Sequence, residues 1–137
     1  MKIKTLQMFL NGMISPNIFA LEIASEVNFY KKKSESLGYS MPVYISGENT
    51  CIYIGTKQLI TICDAFLNKV FNKWHIYYIC DALQMYMFVK FSDDCVKEVI
   101  YSMSDPEVNY EVNEEIISQI RQTMQIAHKR SYRMDNY

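Results

Sequence analysis

Apolar positions in this chain recur mostly at intervals of three and four residues, the spacing of one face of an α-helix. Ile3, Leu6, Phe9, Leu10 and Met13 predict a first helix from about Lys2 to Asn11. Gly12 suits its end, because the residue just past a helix often needs a positive φ. Ser15-Pro16 opens a second helix, with Ser as the cap and Pro at the first helical position. Its apolar stripe is Phe19, Ile23, Val27 and Tyr30, Lys31–Lys33 fall in its later turns, and Gly38 ends it. Thr56 is placed to cap a third helix that turns Leu59, Ile62, Cys63, Phe66 and Val70 inward. Asn72 is placed to cap a fourth, running from Lys73 to about Val89. There Trp74, Tyr77, Tyr78, Leu83, Met87 and Phe88 spread around most of the circumference, which marks the central helix. Ser92 is placed to cap a fifth, with Asp93 and Asp94 in its first turn and Val96, Val99, Ile100 and Met103 inward. Ser104-Asp105-Pro106-Glu107 breaks it, since Pro cannot continue a helix interior. Asn113 is placed to cap the last helix, where Ile116, Ile117, Ile120, Met124 and Ala127 repeat at helical spacing.

One segment has a different period. Val43-Tyr44-Ile45-Ser46 and Cys51-Ile52-Tyr53-Ile54 are β-branched and aromatic runs flanking the turn-forming Gly47-Glu48-Asn49-Thr50. That pattern reads as a hairpin packed on the helices. The expected fold is therefore mainly α: a compact domain of about six helices, with room for one small β-hairpin at residues 43–54.

Composition agrees with a single domain. The chain has 137 residues, half of them hydrophobic and 21% charged, enough to bury a core without disulfide or metal staples. Four glycines and three prolines are too few for the turns of an all-β sandwich. Residues 1–137 show no internal repeat or linker, and a short frayed basic tail is expected after about residue 130. No run approaches the ~20 apolar residues of a membrane span. The opening Met1-Lys2-Ile3-Lys4-Thr5-Leu6 is not followed by a small-residue cleavage site, so a cytoplasmic protein is expected. Cys51, Cys63, Cys80 and Cys95 make no Cys-x-x-Cys pair and read as reduced thiols.

Net charge is −1, but it is unevenly spread. Residues 91–120 hold eight acids against Lys97 alone: Asp93, Asp94, Glu98, Asp105, Glu107, Glu111, Glu114 and Glu115. Asp93, Asp94, Glu114 and Glu115 fit ordinary helix N-termini, where the dipole favours carboxylates. Glu98, Glu107 and Glu111 do not. The block reads equally as a solvated face or as a surface for a basic protein partner, with Tyr101, Tyr110 and Tyr132 as nearby aromatic anchors. An acidic block repels nucleic acid, and Lys31–Lys33 and the Lys129–Arg133 stretch form no continuous basic face against it.

Catalytic chemistry finds little footing. His75 and His128 have no metal-ligand partner three or four positions away. A Cys–His pair meeting in the fold stays open as an enzyme reading. The four glycines are too scattered for a phosphate loop, and no cofactor or metal is called for. Asp81, inside Tyr77-Tyr78-Ile79-Cys80-Asp81-Ala82-Leu83, is a buried carboxyl that a tyrosine hydroxyl or a backbone amide should satisfy.

Three stretches carry a family resemblance. Leu6-Gln7-Met8-Phe9-Leu10-Asn11-Gly12-Met13-Ile14-Ser15-Pro16-Asn17-Ile18-Phe19 resembles the start of small bacterial immunity proteins that protect cells from colicin D-like and contact-dependent growth inhibition toxins. Tyr78-Ile79-Cys80-Asp81-Ala82-Leu83 and the Asp105-Pro106-Glu107-Val108-Asn109 turn are similar to the same families. The resemblance implies a non-enzymatic inhibitor that binds one cognate toxin domain, often a nuclease, and covers its active or substrate-binding surface. An adaptor subunit with an unrelated partner is the main alternative.

Overall fold

The computed structural model describes residues 1–39, 41–47, 49–104 and 111–135, of which 132–135 are described by backbone alone. Six helices and two short strands make up the described chain: α1 (Ile3–Leu10), α2 (Pro16–Leu37), β1 (Ile52–Ile54), α3 (Thr56–Leu67), α4 (Lys73–Met85), β2 (Val89–Phe91), α5 (Asp94–Ser102) and α6 (Glu114–Asp135). The fold is mainly α, as the periodicity predicts. No helix among the described residues is long and apolar enough to cross a membrane.

The caps explain most boundaries. Ser15 Oγ accepts from the Ile18 amide at 3.2 Å, and α2 closes on Gly38 at φ 74°. Asn72 Oδ1 accepts from Trp74 N at 2.9 Å to start α4. Asn113 Oδ1 accepts from Ile116 N at 2.9 Å at the start of α6. Two expected caps shift by one residue. Gly55 precedes α3 instead of Thr56, and its amide donates to Gln58 Oε1 at 2.9 Å. Asp93, not Ser92, caps α5. The basic stretch that suggested a frayed tail continues as helix to Asp135.

The expected hairpin does not form. β1 pairs in parallel with β2, in the register Ile52↔Val89, Tyr53↔Lys90 and Ile54↔Phe91. Parallel strands need a long crossover, and α3 and α4 provide it. Ser46 instead bridges to the start of α1, donating to Met1 O at 2.8 Å and accepting from Ile3 N at 2.9 Å. Gly47 explains why the chain turns away there. Its φ is 126°, and a Cβ at this position would stand 2.7 Å from Ile3 Cγ2. Ser46 is thus paired with the start of α1, and Ile52–Ile54 with Val89–Phe91.

β2 also shortens the fourth helix. Tyr86 leaves α4 with extended backbone, so the helix ends at Met85 and Val89 enters the sheet. Met87 and Phe88 then lie outside the helix, at 86% and 36% exposure. Met13 likewise escapes the α1 stripe, because Gly12 at φ 73° redirects the chain.

α4 is central, with eight consecutive buried residues from Ile76 to Leu83. α2 and α5 pack on it, and α6 lies along α3. Phe9 and Phe19 stack face to face at 4.5 Å, with Phe71 at 5.4 and 6.2 Å from them. Asp81 receives a hydrogen bond from the Tyr30 hydroxyl, so a tyrosine does satisfy the buried carboxyl.

Candidate partner-binding surface

The central helix positions the acidic region from both sides. Near its end, Gln84 Oε1 accepts from Ser104 Oγ at 2.7 Å, fixing the chain just past α5. Near its start, the buried Tyr77 hydroxyl accepts from the Val112 amide at 3.0 Å, fixing the chain just before α6. Burial pushes the Tyr77 phenol up, so it stays neutral. Tyr77→Phe leaves the Val112 amide buried without this partner. It should cost about 1–3 kcal/mol in chemical denaturation and speed hydrogen exchange at Val112 more than in α4.

The candidate residues divide by what they touch. Asp93 is a cap: its Oδ1 accepts from Val96 N at 2.9 Å and its Oδ2 from Ser92 Oγ at 3.3 Å. Glu111 is paired, accepting from Lys73 Nζ at 2.6 Å. That hydrogen bond, with the lysine's charge, holds the Glu111 carboxyl below its ordinary range. Tyr101 is half-buried, its ring edge-on to Phe91 at 6.1 Å and covered by Lys97 Nζ at 5.5 Å. It is therefore a packing residue more than a projecting anchor. Asp94 and Glu98 on α5, and Glu114 and Glu115 in the first turn of α6, are exposed. None of these four makes an ion pair among the described residues. Asp105, Glu107 and Tyr110 lie outside the described residues, as does the Tyr132 side chain.

Between the two acidic helices lies a cleft of about 430 Å³ that periodicity does not reveal. Cys95 and Val99 line one side; Ile116, Ile120, Thr123 and Met124 line the other. A hint exists in α6, whose stripe is wider than one core contact needs. Ile117 and Met124 fill the core, which leaves Ile116 and Ile120 half-buried at the cleft.

The two histidines make local contacts. His75 Nδ1 lies 3.1 Å from the Asn72 amide, and its ring stacks on Phe71 at 5.0 Å. Burial lowers its pKa. His128 Nδ1 lies 3.3 Å from Thr56 Oγ1. Among the described residues, no group of three or more His, Cys, Asp or Glu side chains could hold a metal ion. Glu26 bonds the Tyr78 hydroxyl and the Met1 amine.

The cysteines are all free and differ sharply in access. Burial, helped by the neighbouring Asp64 charge and opposed by Arg121, pushes the Cys63 thiol up to about 12. Burial and Asp81 raise the fully enclosed Cys80 well above 9.0. Only the thiolate is nucleophilic. Native protein treated with iodoacetamide should therefore take label at Cys51 and Cys95, with Cys63 and Cys80 reacting only after denaturation. Peptide mass spectrometry reads this directly, and native labelling of Cys80 would contradict the packing of α4.

Compared with known protein families, with characterised proteins and with solved structures, the chain matches none.

Proposed function

We propose that this chain is a non-enzymatic immunity protein of the bacterial cytoplasm. It binds a cognate toxin domain, a nuclease, and covers its active or substrate-binding surface with the acidic face of α5 and the start of α6. The observation that supports this most is the set of four exposed carboxylates, Asp94, Glu98, Glu114 and Glu115, without ion-pair partners among the described residues. A nuclease gathers cations to hold phosphates, and a field of carboxylates complements such a surface and speeds encounter. The sequence resemblance to immunity proteins points the same way.

The test is co-expression with the product of the gene immediately upstream. The expected result is a toxic upstream product, rescued growth and a complex that survives size-exclusion chromatography. An upstream product that is harmless and does not bind would sink the immunity reading. The adaptor reading would then lead, and one observation favours it. Tyr44, Met85, Met87 and Phe88 surround a second cleft and are 72%, 51%, 86% and 36% exposed. Aromatic and Met side chains of this kind are enriched at protein interfaces.

A further inference from the structure

We infer that the α5–α6 cleft receives a basic amphipathic helix of the protein partner, its apolar stripe laid on Val99, Ile116 and Ile120 and its cations against the flanking carboxylates. The inference rests on the acidic face being a docking surface and specifies what docks there.

The cleft is a largely apolar trough with exposed carboxylates nearby on both helices. Val99, Ile116 and Ile120 are half-buried, so each contributes to the trough without being consumed by the core. On α5, Val96 and Ile100 point into the core and are fully buried. Helical spacing then puts Asp94 and Glu98 on the outer side of Cys95 and Val99. On α6, Glu115 adjoins Ile116, and Gln119 follows it one turn later. Asp94 and Glu98 thus flank the trough along α5, while on α6 its edge is the neutral Gln119 and Thr123, with Glu115 in the first turn at one end.

Length and charge select the occupant. The nine residues of α5 span about 13 Å at 1.5 Å per residue. That accommodates three anchors at i, i+3 or i+4, and i+7 of a helix laid in a groove. The bordering carboxylates disfavour an acidic or purely apolar segment, because facing them with nothing cationic leaves them desolvated and unpaired. Basic residues flanking the anchors satisfy them.

The experiment needs no toxin. A display library of random 16-residue peptides is selected against the full chain. It is selected in parallel against Ile120→Lys and against Glu98→Lys/Glu115→Lys. Ile120→Lys places a cation in the trough. The double variant changes only exposed positions. Enriched peptides are expected to carry helix-spaced apolar residues flanked by Lys and Arg. Their affinity should fall by about tenfold or more in both variants, since like charges brought together at an interface repel. A bound peptide should slow alkylation of Cys95 and leave Cys51 unchanged, since Cys51 lines no part of the cleft.

Four results would overturn the inference. They are no enrichment, enriched peptides without basic residues, binding indifferent to both variants, or a concentration-dependent dimer dissolved by them, which would make a second copy the occupant. Peptide binding without toxin rescue would remove the immunity reading and keep the groove. Rescue without any enriched peptide would do the reverse.

Discussion

Replacing Phe19 with alanine is expected to destabilise the protein by about 3–5 kcal/mol, the range measured for removing a fully buried aromatic ring. Phe19 is 0% exposed, and its ring lies flat on Phe9 at 4.5 Å with an interplanar angle of 3°. Phe71 meets both rings from the segment between α3 and α4. Removing Phe19 therefore strips one ring from a three-element contact that joins α1, α2 and the approach to α4. Phe9 comes from a short helix tied to the chain by Gly12 and cannot move far to fill the space. Domains of this size have a total stability of about 5–15 kcal/mol, so the loss is a large fraction of the whole. Urea denaturation followed by tryptophan fluorescence would read it, since Trp74 is the single tryptophan and sits in the adjoining Tyr30–Tyr77 aromatic cluster. Phe19→Leu keeps much of the volume and should lose considerably less. A loss below about 1 kcal/mol for the alanine variant would be too small for a buried ring and would mean that the α1–α2 contact is not part of the core.

The helices of this fold are legible because their signals are local. Ser15-Pro16, Asn72 and Asn113 are caps whose chemistry acts within one turn, and each marks its helix start in the structure. The stripe Phe19–Ile23–Val27–Tyr30 is buried along its full length. Asp81 and its tyrosine partner were also foreseeable, because a carboxyl amid seven buried neighbours has few ways to be satisfied. The sheet was not legible for the opposite reason. Ile52–Ile54 has the alternation of a strand, but its partner is 37 positions away at Val89–Phe91. No local rule selects that pairing over the nearer Val43–Ser46. In the fold Ser46 pairs with the start of α1, and Gly47 lies too close to Ile3 for any larger residue, a placement visible only in three dimensions. Without that strand partner, the sequence pattern carries α4 on through Val89, because Met87 and Phe88 continue an apolar run.

The candidate surface divides the same way. The concentration of charge in residues 91–120 is a property of composition and needs no fold. The roles within it do need one. Asp93 is spent on the α5 cap and Glu111 on Lys73, 38 positions away. Tyr101 is held by Phe91 from β2, a strand absent from the pattern. The cleft arises only because α5 and α6 converge, with both of their chain ends fastened to α4.

These assignments sharpen what charge reversal should do. The variant Asp94→Lys/Glu98→Lys/Glu114→Lys/Glu115→Lys is expected to slow association with the cognate toxin domain by about 10- to 100-fold at low salt, within the range attributed to electrostatic steering. Its dissociation rate should change much less, because margin charges act mainly on encounter. Stopped-flow measurement at several ionic strengths gives a second, independent reading. The native rate should fall steeply with added salt, as screening shortens the Debye length to ~10 Å at 0.1 M. The reversed variant should lose that slope or invert it. Three of the four positions lie in first helical turns, where lysine also opposes the helix dipole. The isosteric Asn and Gln quadruple variant separates the two effects. It removes the charges with little steric change, and it should recover native stability while keeping most of the loss in association rate. Reversal at Glu111 is the contrasting case. That residue already neutralises Lys73, so Glu111→Lys should weaken a local contact and place two cations together near α4, with a smaller effect on steering than reversal at Glu98. Equal effects at Glu111 and Glu98 would mean that only the total charge matters. Partner recognition would then rest on the net field of the region, not on the exposed carboxylates beside the α5–α6 cleft.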